Sequence, residues 1–144
     1  MSRPSNRWIW VMAVAVVVAW IGLFIHNVAD LPGQSILSPE SYGPLIFSVT
    51  LFAVWFWWRR VGSWLLLLWA ALNVLGAILT VLPLSFFPFE PEQTTKHYLF
   101  HVLYGVTQLP LLIVAIASAR ATGSRATGER PPGSAARSDP PAGS

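Results

Sequence analysis

The chain has no cysteine among its 144 residues, which removes disulfides, thiolate metal sites and cysteine nucleophiles from consideration. Charge is nearly as scarce. Only 10% of residues are Asp, Glu, Lys or Arg against 54% hydrophobic, where a soluble domain carries about a quarter charged. A glycine-rich phosphate loop, a serine elbow and a His-Glu-x-x-His motif are all missing, so nucleotide binding, serine hydrolysis and that zinc-protease chemistry have no motif to rest on. The formal charge of +3 does not point to nucleic acid, because the arginines sit in short flanks of hydrophobic segments rather than in a basic patch.

What is present is hydrocarbon, in four runs. They predict an all-α membrane protein with four transmembrane helices over about 8–28, 41–60, 62–82 and 97–119, arranged as two helical hairpins. Each run is near the ~20 residues that cross the hydrocarbon core, and backbone polar groups in lipid must pair within a helix. The first run is basic at its start but long and tryptophan-bearing, with no small-x-small exit, so it is expected to stay as a helix and not to be removed as a signal peptide. Residues 121–144 are Pro, Gly, Ser, Ala and Arg with no bulky apolar residue. They are expected to form a disordered tail after a transmembrane domain of residues 1–120.

Arg3 and Arg7 precede the first helix, Arg59 and Arg60 lie between the second and third, and Arg120, Arg125, Arg130 and Arg137 follow the fourth. Four spans bring all of these to one side, with Lys96 alone opposite. The positive-inside rule then makes both termini cytoplasmic in the cell membrane, with Trp8, Trp10, Trp57, Trp58 and Trp64 as an inner aromatic belt.

The remaining polar residues fall at the other end. His26 and Asp30 are four apart at the outer end of the first helix, and His97 and His101 are four apart on the last. His97, His101, Tyr104 and Gln108 share one face of an α-helix, descending roughly 16 Å into the bilayer. With Asn73 in the third helix and Ser48 and Thr50 in the second, they should turn inward, since a polar side chain facing lipid is expensive. The expected result is an outward-facing polar pocket, with Asn73, Tyr104 and Gln108 in its depth, above a dry floor of Trp, Leu, Val and Ala.

Three functions fit such a pocket. In the first, the protein is an accessory or scaffold subunit, the polar groups are interhelical hydrogen bonds, and Gly22, Gly76 and Gly105 mark close helix contacts. In the second, His26, Asp30, His97 and His101 hold Zn²⁺ or another divalent metal once the first and last helices are neighbours. Such a site could attack a lipid-borne ester or amide with Glu90 or Glu92 as general base. In the third, His26 and a histidine of the last helix are axial ligands of haem b. The expected partners are the bilayer and a second copy or another membrane protein.

Overall fold

The computed structural model describes residues 4–84 and 92–128, with side chains to residue 123. Its regular elements are four helices: α1 Asn6–Asp30, α2 Pro39–Trp57, α3 Arg59–Leu79 and α4 Thr95–Gly128. Pro39 opens α2 at a position where no amide donor is needed. The Ser38 carbonyl accepts from Ser41 and Tyr42, while its hydroxyl turns back to accept the Ser35 N–H at 2.9 Å. Thr94 caps α4 by accepting the His97 N–H at 3.3 Å.

α1, α3 and the Thr95–Gly123 part of α4 are long and apolar enough to cross a membrane. α2 is a full 19 residues, about 28 Å at 1.5 Å per residue, but Glu40, Ser41, Tyr42, Pro44, Ser48 and Thr50 dilute its hydrocarbon. By length and composition three helices among the described residues qualify as spans, and α2, expected as the fourth, is not among them.

The side chains are sorted as hydrocarbon solvent requires. Val14, Val17, Leu68, Leu72, Val102 and Ile113 point outward. Ala15, Ala19, Ala70, Ala77 and Ala115 are buried, as are the polar Ser48, Ser63, Asn73, Gln108 and Ser118. Small residues let helix backbones approach, which drives association where hydrophobic burial cannot.

The helices pack in a ring in chain order, α1 against α2 and α4, and α3 against α2 and α4. α1 and α4, far apart in sequence, are thus neighbours. A Cβ on Gly22 would collide with the Thr107 side chain, so this α1–α4 crossing needs glycine. Gly105 meets only Ala77, at an ordinary 3.5 Å from an added Cβ, and Gly76 meets nothing within 4 Å; of the three glycines expected at contacts, only Gly22 is sterically required.

Two boundaries differ from the sequence reading. α2 and α3 are separated by Trp58 alone, in a non-helical conformation (φ −127°, ψ 73°), so α2 ends early and α3 begins at Arg59. Gly62 permits this, because a Cβ there would strike the backbone of Trp55. α4 continues to Gly128, so residues 121–128, expected to be disordered, are helical. Nothing in Ala121–Gly128 resembles a proline break, and the Thr122 hydroxyl bonds back to the carbonyls of Ser118 (3.2 Å) and Ala119 (2.9 Å). The rest of the tail, 129–144, lies outside the described residues.

One end of the bundle gathers arginine. The Arg59 guanidinium lies 5.9 Å from the Trp8 ring and 5.4 Å from the Trp55 ring. The interior here is not the dry floor expected. Trp55 Nε1 donates to Ser118 Oγ at 2.9 Å, Ser118 and Ser63 hydroxyls pair at 2.7 Å, and Ser63 donates to the Arg59 carbonyl at 2.6 Å. Hydrocarbon does close the middle, where Met12, Leu66, Ala70 and Leu111 are fully buried.

Candidate functional site

The C-terminal turn of α1 and the first three turns of α4 meet at the end away from the arginines. Helical spacing presents His26 and Asp30 on one face of α1, and His97, His101 and Tyr104 on one face of α4. The ring adjacency of the two helices brings these faces together. Asp30 Oδ2 lies at the centre, 3.0 Å from His97 Nδ1 and 3.1 Å from His26 Nδ1, with its side chain 7% exposed. The imidazole of His101 sits 4.4 Å from that of His26 and 4.3 Å from that of His97, centroid to centroid. Tyr104 stacks on His26 at 5.4 Å with the rings nearly parallel.

The hydrogen-bond partners fix two tautomers. A carboxylate only accepts, so His97 donates from Nδ1 to Asp30 at 3.0 Å, which leaves the neutral ring's lone pair on Nε2. A carbonyl only accepts, so His101 donates from Nδ1 to the Ala77 carbonyl at 3.0 Å, again leaving Nε2 with the lone pair. His97 Nε2 is buried and has no hydrogen-bond partner, and neither has His26 Nδ1, whose approach to Asp30 lacks hydrogen-bond alignment.

His26, Asp30 and His101 can each offer one ligand atom with all three atoms within 4.8 Å of one another. A tetrahedral zinc site, with bonds of about 2.0–2.1 Å, needs edges near 3.3 Å, so the three atoms are close to but not at ligand spacing. His97 stands beside it, holding the carboxylate. Of the four residues expected to act as ligands, the structure brings all four together and divides them three to one.

Below the cluster the polar stripe is packed, not open. Tyr104 donates its hydroxyl to Asn73 Oδ1. Asn73 donates to the Trp69 carbonyl at 2.8 Å, Trp69 Nε1 donates to Ser48 Oγ at 3.0 Å, and Gln108 donates to the Ala19 carbonyl at 2.9 Å. The void left between Ser48, Asn73 and Gln108 is about 10 Å³, room for roughly one water. The expected outward-opening cavity is therefore corrected to a filled column, because each polar group found a partner on a neighbouring helix. Thr50 does not join it: the residue is exposed and bonds its own helix at the Ile46 carbonyl, 2.8 Å away.

The two carboxylates expected as general bases take no part. Glu90 lies outside the described residues, and Glu92 is exposed in the segment before α4. For the haem expectation, the described residues show the rings in contact, His101 against His26 and His97 and Tyr104 against His26, where a porphyrin would have to lie between opposed imidazoles.

Three supporting contacts escaped the sequence reading. The Ala77 carbonyl orients His101. Lys96 Nζ donates to the Ala29 carbonyl at 2.9 Å, placing a cation on the C-terminus of α1. Asn27 donates to the Glu40 carbonyl at 2.8 Å, tying α1 to α2 beside the cluster. Backbone acceptors carry no side-chain signature, although the lone lysine at the start of α4 was a visible hint. Comparison with protein-family models, curated proteins and solved structures gave no match.

Proposed function

We propose that this is a small integral membrane protein whose histidine end binds one divalent transition-metal ion of the Zn²⁺ class through His26, His101 and Asp30, with His97 positioning the Asp30 carboxylate. The observation that carries this reading is the convergence of these four side chains from two helices, with ligand atoms of His26, Asp30 and His101 within 4.8 Å of one another and His26 Nδ1 buried beside Asp30 without a hydrogen bond. Buried polar atoms normally find a partner, and a cation supplies one here. Imidazole and carboxylate without thiolate suit Zn²⁺ or Fe²⁺. Three protein ligands leave a coordination position for water or substrate, the layout of a reactive site more than of a purely structural one.

In this reading α2 completes a fourth span, and the arginine end faces the cytoplasm with both termini, a placement supported by the bias of the eight arginines to that end. The metal site then lies at the outer face of the cell membrane.

A second reading has its own observation. The Asp30–His97 and His101–Ala77 hydrogen bonds join α1, α4 and α3, so the cluster would also serve as a clasp in an accessory or scaffold subunit. Metal analysis of detergent-purified, never-chelated protein separates the two. The metal reading expects about one ion per chain, lost in His101→Ala while the helical signal is kept. A wild-type sample without metal, unable to take up Zn²⁺ on addition, leaves the clasp and shifts the search to a co-purifying membrane partner.

A further inference from the structure

The small void inside the bundle is walled by all four helices, with Ala19 on α1, Ser48 on α2, Trp69 and Asn73 on α3 and Gln108 on α4. Its three polar wall residues are each more than nine-tenths buried, with Ser48 4%, Asn73 7% and Gln108 2% exposed. Each bonds within the chain and still has hydrogen-bonding capacity left over. Asn73 Nδ2 and Gln108 Nε2 donate to the carbonyls of Trp69 and Ala19. A carbonyl only accepts, so both amide orientations are fixed. Asn73 keeps a second amide hydrogen, and Gln108 keeps its carbonyl oxygen. Ser48 Oγ accepts the Trp69 indole N–H, which leaves the hydroxyl's own hydrogen to give. Among the described residues, nothing takes up these three capacities.

We propose that this void binds one water molecule, which accepts from Ser48 and Asn73 and donates to Gln108. Three bonds is the usual number for a buried water, and cavities that stay dry are apolar. The volume of about 10 Å³ sits at the lower edge of what one water requires, roughly 10–15 Å³, so nothing larger enters. A bare cation has the size but not the chemistry, because Ser48 and Asn73 have hydrogens to give here, not lone pairs. Hydrocarbon around the bundle offers no other partner to these groups.

The ring of helices explains why a side chain does not close this gap. α2 and α4 stand on opposite sides of it, and the water spans that diagonal from Ser48 to Gln108. It thereby ties in α2, the one helix too polar to qualify as a span by composition. It also holds the Asn73 amide, whose oxygen receives the Tyr104 hydroxyl, beneath the ring stacked on His26. Neither the site nor its test depends on an ion binding above.

The molecule contains its own control. Trp69 and Trp55 each donate an indole N–H to a serine hydroxyl, Ser48 at 3.0 Å and Ser118 at 2.9 Å. The Ser118 hydroxyl is paired with that of Ser63 at 2.7 Å, and of the two indoles only Trp69 lines the void.

The test is proton-detected magic-angle-spinning NMR of the full chain in phosphatidylcholine bilayers, reading through-space cross-peaks at the water frequency. The Trp69 indole and the side-chain amides of Asn73 and Gln108 should show them, and the Trp55 indole should not. In Ser48→Ala, which removes one hydroxyl and adds no volume, the Asn73 and Gln108 peaks should persist. The Trp69 peak should grow there, because the water moves toward the place of the lost hydroxyl. No peak at Trp69, Asn73 and Gln108 in the unaltered chain would mean a dry void and overturn the proposal. Equal peaks at Trp55, or loss of the peaks in Ser48→Ala, would overturn it too, by assigning the signal to exchanging serine hydroxyls.

Discussion

The division of the cluster into three ligands and one positioning residue makes His97 the most informative position to change. His97→Ala removes a hydrogen bond of 3.0 Å to a carboxylate that is 7% exposed. A hydrogen bond to a charged group contributes about 1.5–3 kcal/mol. If that bond holds Asp30 in its binding rotamer, Zn²⁺ affinity should fall roughly 10–100-fold, which is the range found when outer-shell partners of metal ligands are removed. His101→Ala and His26→Ala delete ligands outright and should abolish stoichiometric binding. His97→Asn is the discriminating variant, because its amide nitrogen takes the place of imidazole Nδ1 while nothing replaces Nε2. It should recover most of the affinity. The assay is competition against a chromophoric chelator in detergent, at fixed pH because protons compete for the same nitrogens. If His97→Asn is as damaging as His101→Ala, His97 is itself a ligand and the three-to-one division is wrong. If His97→Ala has no effect, Asp30 is not the group that carries the ion.

The packing gives further expectations. Gly22→Ala should destabilise the bundle by about 1–3 kcal/mol through overpacking, and Thr107→Ala in the same chain should recover most of it, measured as a double-mutant cycle in SDS unfolding; additive effects would mean that the α1–α4 crossing is looser than described. Gln108→Leu should cost only about 0.6 kcal/mol, the usual worth of an interhelical hydrogen bond in a membrane, because the Ala19 carbonyl keeps its place in the α1 ladder; a much larger loss would give Gln108 a role beyond packing. The absence of cysteine permits a background-free topology test. In intact cells an impermeant maleimide should label Ser35→Cys and not Ser134→Cys, and the opposite pattern would put the histidine end inside.

The pairs His26–Asp30 and His97–His101 were legible because a helix imposes its own geometry, spacings of three and four guaranteeing a shared face; that the pairs meet depended on the first and last helices being neighbours, which the ring supplies. The packing of the column was not legible. Asn73, Tyr104 and Gln108 announce that they turn inward, but not that each meets a partner and leaves room for roughly one water. The knot of Trp55, Ser63 and Ser118 was invisible for a related reason. Serine in a membrane helix often satisfies itself on its own backbone, as Thr50 does at the Ile46 carbonyl, so only the contact map tells the two apart. The α2–α3 corner turned on Gly62, whose need depends on where the Trp55 backbone passes.

The polar contacts of this bundle fall into two kinds, and the difference bears on what the cluster is for. Tyr104–Asn73, Gln108–Ala19, Trp69–Ser48 and the Ser63–Ser118–Trp55 knot end on partners within the chain. These are the contacts expected of glue, and they already tie α1 to α4, α2 to α3 and α3 to α4. The histidine cluster adds a carboxylate and three imidazoles at the same helix pairs, yet leaves His26 Nδ1, 3.1 Å from Asp30, buried without a hydrogen bond. Such a group costs about 1–3 kcal/mol, comparable to what the Asp30–His97 bond returns. A clasp alone would be better made from leucine, or from another serine–tryptophan pair. In the metal reading proposed above, a cation on His26, His101 and Asp30 would complete the His26 nitrogen and satisfy the Asp30 charge. Metal-loaded protein should therefore be more resistant to unfolding than the apo form, by RT ln(1 + [Zn²⁺]/Kd), or about 2.7 kcal/mol at a hundredfold excess over Kd. A chain whose stability ignores zinc across that range would show that the His26 nitrogen is tolerated for some other reason.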